Sequence, residues 1–320
     1  MSIHYQAVGW NRQKKIYDAV AIGGALLYLS VFAGLGAFVH PDATIETLLI
    51  RAFGTGAFLL LHVILAIGPL SRLDKRFLPL LYNRRHLGVL MFFLALTHGV
   101  FSLIQFHALG NVNMLTSLVE SFPSFHLLGA AALFLLFAMA ATSHDVWLHW
   151  LSAPVWKRLH MGAYFAYALL VAHVAFGALH SEPNVANIII LAAGILTLSG
   201  LHVAAARRER DRASDAPELR VGSLESIPDQ RAVIVCAGKE RIAVFRNGNQ
   251  VHAVSNVCRH QNGPLGEGKI IDGCITCPWH GYQYDPATGR APAPFNDQVP
   301  VFPIRIDNGT VFVRTIPEAR

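Results

Sequence analysis

Residues 258–280 read CRHQNGPLGEGKIIDGCITCPWH. Cys258-x-His260 is followed, after sixteen intervening residues, by Cys277-x-x-His280, so each of two short loops supplies one thiolate and one imidazole. That donor set suits an asymmetric [2Fe–2S] centre, with two thiolates on one iron and two neutral imidazoles on the other. It also suits a structural zinc site of two cysteines and two histidines, and Cys274-x-x-Cys277 has the spacing of a zinc knuckle.

Short β-prone runs flank this stretch: RAVIVCAG, RIAVFRNGN and VHAVSNVC before it, VPVFPIRI and VFVRT after it, the last two divided at Asp307-Asn308-Gly309. Apolar runs punctuated by turn residues predict a small all-β domain over residues 220–316. Within it, CRHQNGPL and CPWHGYQYD resemble the Rieske family in more than their four donors. Gly-Pro-Leu follows the first pair, Pro-Trp lies inside the second, Gly281 follows its histidine, and APAPF (291–295) is a Pro-rich segment of the kind that covers the cluster. The resemblance implies a Rieske [2Fe–2S] cluster ligated by Cys258, His260, Cys277 and His280, and hence an electron-transfer protein. Quinol-oxidising members carry one extra cysteine in each loop and join the two by a disulfide; Gly263 and Trp279 stand there instead. The domain is therefore similar to Rieske ferredoxins and to the Rieske domains of ring-hydroxylating oxygenases. The serine that donates a hydrogen bond in high-potential members is Tyr282 here, while Tyr284 keeps the family's tyrosine. A potential in the lower part of the Rieske range, below about +200 mV, is the expectation. Cys236 and Cys274 are expected to be buried strand residues without chemistry, and four cysteines without paired spacing exclude a disulfide framework.

Toward the N-terminus the composition changes. Charged residues make up only 14% of the whole chain, the mean hydropathy is +0.41, and long apolar runs dominate up to residue 206. Stretches at 17–39, 47–70, 87–106, 125–142, 159–179 and 185–206 are each long enough to cross a hydrocarbon layer of about 30 Å. The predicted fold is thus an α-helical membrane bundle of six transmembrane helices (1–206), a charged linker (207–219) and the all-β domain. The polar start is followed by a full-length apolar span and lacks a small-residue cleavage site, which predicts a first membrane helix and not a removable signal.

Basic residues separate by side. Arg12, Lys14, Lys15, Arg72, Lys75, Arg76, Arg84, Arg85, Lys157, Arg158, Arg207, Arg208 and Arg210 fall on one set of loops, and Arg51 alone lies toward the other. The positive-inside rule then predicts a multi-pass protein of the inner cell membrane with both termini cytoplasmic. Trp10, Trp147, Trp150 and Trp156 lie beside the same helix ends, where indoles favour the interface. The net charge of +6 is accounted for by these loops; it reports contact with membrane lipid and gives no indication of nucleic acid.

Of sixteen histidines, thirteen precede residue 206, and ionisable residues inside a bilayer are functional candidates. His98 and His173 occur in the third and fifth spans, which run parallel, about 20 Å beyond the cytoplasmic starts of their helices. Two imidazoles at one depth on neighbouring helices suit a bis-histidine haem. NRRHLGVLMFFLALTHG (83–99) and KRLHMGAYFAYALLVAHV (157–174) resemble the ferric-reductase-like transmembrane domain, and within it the haem-binding membrane subunits of methionine sulfoxide reductase systems. That resemblance implies one or two b-type haems, with His98 and His173 as one axial pair and His160 at a second, inner haem. The family's other inner ligand lies fourteen residues before His98, where this chain has Arg84; His86, two residues away, is the alternative partner. His62 is either a ligand, a hydrogen-bonded packing residue or a quinone contact. His40, His107, His126 and His180 read as interfacial residues at the outer helix ends, and His144 and His149, beside Asp145, as loop residues, because the further histidine boxes of a diiron site are lacking.

Three functions compete. The first is a membrane redox wire joining a cytoplasmic [2Fe–2S] domain to haem; no Gly-rich dinucleotide fingerprint occurs, so the electron donor is an external cytoplasmic reductase or a quinol, and the acceptor is open. The second is an electron-supplying component of an oxygenase, since the two-histidine, one-carboxylate iron site of such enzymes has no domain to occupy here. The third is a Rieske redox sensor with the bundle as an anchor.

Overall fold

The computed structural model describes residues 12–81, 84–105, 124–143, 151, 153–181, 185–212, 216–238, 240–260, 263–278, 281–293 and 295–318. The chain divides into two compact units, Arg12–Ala204 and a second that takes in Ala205–Arg320.

Among the described residues, the first unit is built from five principal helices, α1 (Arg12–Val39), α2 (Ile45–Leu73), α3 (Arg84–Leu103), α4 (Ser124–Ala141) and α5 (Ala153–Phe176), and from the larger part of a sixth, α6 (Val185–Arg212). Five are long and apolar enough to cross a membrane, and α4 contributes a shorter apolar helix, Phe125–Ala141. In hydrocarbon every backbone polar group must be paired within the protein, and the helices extend this to their hydroxyls. Thr55 donates to the Arg51 carbonyl at 2.6 Å, Thr97 to Phe93 at 2.8 Å and Thr142 to Ala138 at 2.7 Å. Helix α2 begins where the Thr44 side chain accepts from the Thr47 amide, with Glu46 in its first turn and Arg72 in its last, an arrangement that complements the helix dipole.

The bundle core consists of Leu61, Leu65, Met91, Phe92, Leu136, Met139, Ala166 and Leu198. Helix α1 buries none of its apolar window, and Val20, Leu27, Leu35 and Phe38 are all exposed. In water such a surface would aggregate; in a bilayer it is the lipid-facing side. Helix α6 continues through Arg207, Arg208 and Arg210 to Arg212, so the stretch expected as a linker is helical for much of its length.

Among the described residues the paired strands of the second unit run antiparallel, with one isolated parallel bridge between Asp229 and Arg246. Its strands are β1 (Glu218–Ser223), β2 (Ala232–Ala237), β3 (Glu240–Asn247), β4 (Gln250–Ser255), β5 (Lys269–Ile271), β6 (Cys274–Thr276), β7 (Gln283–Tyr284), β8 (Val301–Phe302), β9 (Ile304–Asp307) and β10 (Thr310–Arg314). They form sheets ordered β1-β10-β9, β2-β3-β4-β8 and β5-β6-β7. Strand β3 is covered on both faces, and its alternation divides the core. Ile242 and Val244 pack with Ile227, Phe302, Val311 and Val313, while Ala243 and Phe245 pack with Cys258, Leu265, Ile275, Cys277 and Tyr284.

One expectation is corrected. Cys236 and Cys274 are only partly buried, because Cys236 lies on β2, the edge strand of its sheet, and Cys274 follows the β5–β6 turn at Asp272-Gly273.

Candidate redox sites

In the β unit, β4 leads into the first loop and the β6–β7 hairpin carries the second. Cys258 and Cys277 are each 1% exposed, and neither is in a disulfide. Each loop is closed by its own backbone: the Cys258 amide donates to the Gly263 carbonyl at 2.9 Å, Cys277 to Tyr282 at 2.8 Å, and Gly281 to Cys277 at 2.8 Å. The Tyr284 hydroxyl lies 3.4 Å from the Cys258 sulfur and accepts from the Arg259 amide at 2.9 Å. Burial, and then the charge of the Cys258 sulfur, raise the Tyr284 phenol above its ordinary value, so it remains a hydrogen-bond donor. The His260 ring stacks on Tyr282 at 5.0 Å and 7°. His280, Trp279, Gln261 and Asn262 lie outside the described residues.

Two cysteines buried in one core cluster, an imidazole stacked on Tyr282 of that cluster, and the Tyr284 hydroxyl beside the Cys258 sulfur fit an iron–sulfur cluster. Among the described residues, which do not include His280, no group of three or more His, Cys, Asp or Glu side chains is gathered as a metal site.

Next to the first loop, Glu267 ends the turn Leu265–Glu267. Its Oε2 is buried without a hydrogen-bond partner among the described residues, and so is Nε of Arg241. Burial, partly offset by the Arg241 charge, pushes the Glu267 carboxyl up to about 7.

In the helical unit, His98 and His173 face each other with ring centres 6.2 Å apart and planes at 82°. Each is anchored identically. His98 Nδ1 donates to the Ile50 carbonyl of α2 at 2.9 Å, and His173 Nδ1 to the Phe125 carbonyl of α4 at 2.7 Å, both across 48 residues of chain. Each ring lies against a glycine four residues further along that neighbouring helix. A Cβ on Gly54 would stand 2.8 Å from His98, and one on Gly129 2.9 Å from His173. Nothing in the sequence reading singled out these glycines. The signal that was available is the paired Ile50-x-x-x-Gly54 and Phe125-x-x-x-Gly129, each at the same distance before its histidine. This pair of tethered imidazoles, with the second ring nitrogen of each uncommitted to those bonds, fits bis-histidine ligation.

The inner histidines have different neighbours. His160 stacks on Trp156 at 3.9 Å and lies 3.4 Å from the Thr142 hydroxyl, and the charges of Arg84 and Arg85 bear on it. Arg85 donates to the Ser143 carbonyl at 3.2 Å. His86 instead donates from Nδ1 to Asp18 of α1 at 2.8 Å. His62 is a packing residue with both nitrogens engaged: Nδ1 donates to Phe58 at 2.9 Å and Nε2 lies 3.0 Å from the Tyr167 hydroxyl. His202, not singled out by sequence, lies edge-on to Tyr164 at 5.4 Å. His126 lies edge-on to Phe125 at 4.3 Å, and His180 is in the short helical turn Ala178–Ser181. His107, His144, Asp145 and His149 lie outside the described residues.

The comparisons with known proteins divide at the same place as the fold. The Rieske [2Fe-2S] domain matches residues 218–303, and the ferric reductase like transmembrane component matches residues 49–171. The chain is 39% identical over 94 residues to the anthranilate 1,2-dioxygenase ferredoxin subunit of Burkholderia cepacia, spanning 29% of this chain and 87% of that protein. It is 31% identical over 81 residues to the 3-phenylpropionate/cinnamic acid dioxygenase ferredoxin subunit of Shigella flexneri, spanning 25% and 76%. The solved ferredoxin of Sphingomonas yanoikuyae B1 is similar at 32% identity, covering 31% of this chain and 99% of that one, with a TM-score of 0.29. The chain belongs to the Rieske [2Fe-2S] domain family through residues 218–303, carries a ferric reductase-like transmembrane domain at residues 49–171, and is a multi-pass membrane electron-transfer protein.

Proposed function

We propose that the chain is a membrane redox carrier in which a [2Fe–2S] cluster held by Cys258, His260, Cys277 and His280 exchanges electrons with b-type haem held between His98 and His173. The observation that carries the haem is the geometry of that pair. Two imidazoles that shared one metal at about 2 Å per bond would have ring centres about 6 Å apart, and the 6.2 Å between His98 and His173 supports these two as the residues that would hold the haem. A metal-bound histidine generally donates its other ring N–H to a carbonyl or carboxylate, as both do here. When bound, the haem and the cluster each supply a one-electron couple. The protein's part is to hold the ring tautomers through Ile50 and Phe125, to leave room at Gly54 and Gly129, and to keep water from Cys258 and Cys277. His160 is assigned to a second, inner haem with His86 as its partner, which the carboxylate of Asp18 on His86 Nδ1 supports by the same rule.

The protein lies in the inner cell membrane with both termini cytoplasmic, and an external cytoplasmic reductase or a quinol donates the electrons. Pyridine haemochromogen analysis of the purified chain tests this reading. Haem b is expected, with the haem-to-protein ratio falling in His98→Ala and in His173→Ala. A chain that purifies with its cluster and without haem b overturns it and leaves the bundle as an anchor.

A second reading is supported by the 39% identity to a dioxygenase ferredoxin subunit: the cluster supplies electrons to an oxygenase on another chain. Reduction of such a partner by haem-free protein, at the rate of the haem-loaded form, would favour it.

A further inference from the structure

The Pro-rich segment after the second loop is tied to the cluster loops at defined points. The Tyr282 hydroxyl donates to Oδ2 of Asp297. Phe295 meets the Tyr282 ring edge-on at 4.9 Å and 62°, and Arg259 Nε donates to the Gln298 carbonyl at 3.3 Å. The segment is closed on itself by the Ala291 amide, which donates to the Asp297 carbonyl at 2.8 Å. Tyr282 is 4% exposed, and its ring lies parallel to the His260 imidazole. A buried aromatic ring thus links an acidic side chain in one loop to a histidine in another.

We propose that Tyr282 and Asp297 form a latch that fixes the His260 imidazole and lowers the reduction potential of the cluster, Tyr282 acting as the positioning residue and Asp297 supplying the charge. This rests on the reading of His260 as a cluster ligand. Reduction adds an electron to the cluster, so a fixed negative charge nearby disfavours the reduced form. A hydrogen bond that points a phenol toward a carboxylate polarises the ring lying against the imidazole in the same sense. With its hydroxyl committed to Asp297, Tyr282 does not donate to the cluster from the position where high-potential relatives place a donating serine.

The test is an EPR-monitored redox titration of the full-length protein and of Asp297→Asn, Tyr282→Phe and the double variant. Asp297→Asn is expected to favour the reduced cluster by about threefold, which is about 28 mV at 59 mV per decade for one electron. Tyr282→Phe keeps the ring stack, so the g-values are expected to hold while the potential rises. The double variant is expected to rise by less than the sum of the two, because the substitutions break one link. Potentials unchanged in both single variants overturn the proposal, as does strict additivity in the double variant. His260→Ala separates this from the ligand reading. If that variant retains a cluster with the parental EPR signal, the ligand reading fails; if it loses the cluster while Asp297→Asn leaves the potential unchanged, only the latch fails.

Discussion

A single carboxyl next to the first cluster loop makes the β unit sensitive to pH. Glu267 titrates near 7 in the folded chain because its Oε2 is buried without a hydrogen-bond partner among the described residues, whereas an unfolded glutamate titrates at about 4.3. Between those values the folded state holds the extra proton, so this residue's contribution to stability falls as the pH rises through the window. The effect is on the order of 1–3 kcal/mol. Asp285 acts in the opposite sense. Burial works to raise its carboxyl, but hydrogen bonds from Thr288 and Ala287 outweigh it and hold the group below its ordinary value, so its contribution is present above the unfolded value and lost on acidification. We expect the thermal bleaching temperature of the cluster to fall between pH 5 and pH 7, and to do so much less in Glu267→Gln; equal slopes for the two proteins would remove Glu267 as the cause. Tyr284→Phe deletes a donor to the Cys258 sulfur, and since such bonds raise the potential, a fall of about tenfold in the reduction equilibrium, about 59 mV, is expected by voltammetry.

At the level of elements, the helical unit repeats one device twice. A helix carbonyl and the glycine one turn beyond it receive a histidine from the next helix, first with α2 and α3 and then with α4 and α5. The glycine is required because the imidazole can approach its carbonyl only where no Cβ intervenes. Gly54→Ala and Gly129→Ala are each expected to lower the haem content of the purified protein by more than half, because the added carbon would stand 2.8–2.9 Å from a ring. Gly24→Ala on α1 has nothing within 4 Å and is the control. Full haem content in both of the first two variants would show that the rings do not need these positions.

For the whole molecule, a direction of electron flow would rest on the side the basic residues take and on the order of the potentials. Arg72 lies in the last turn of α2, Arg76 follows that helix, and Arg207, Arg208 and Arg210 lie toward the end of α6, so a fluorescent protein fused after Arg320 is expected to fold in the cytoplasm, and alkaline phosphatase fused between α1 and α2 to be active outside. The reverse pattern would invert the topology. Outward electron flow further requires the cluster to titrate below the haem. We expect a single potentiometric titration followed by optical and EPR spectra to give that order, and the opposite order would point the flow inward.

Much of this was legible from residues alone. Apolar runs of membrane length, the one-sided distribution of basic loops, and the doubled Cys–His spacing are local properties of the chain, because water, lipid and metal each act on residue type at short range. The sequence therefore determined the two-part architecture and the apolar segments, and it singled out the two Cys–His loops as the candidate cluster site. It also picked out His98 and His173 by depth. Only the tertiary structure decided what lies beside them: the carbonyls of Ile50 and Phe125, the clearance at Gly54 and Gly129, the Asp18 partner of His86, and the bond from Tyr282 to Asp297. These contacts join segments that only folding brings together, and the type of a residue and its place in the chain do not say which carbonyl, carboxylate or glycine it will lie against. The structure likewise left Cys236 and Cys274 partly exposed, since β2 is the edge strand of its sheet and Cys274 follows a turn, placements that depend on the neighbours of each and not on the residue itself.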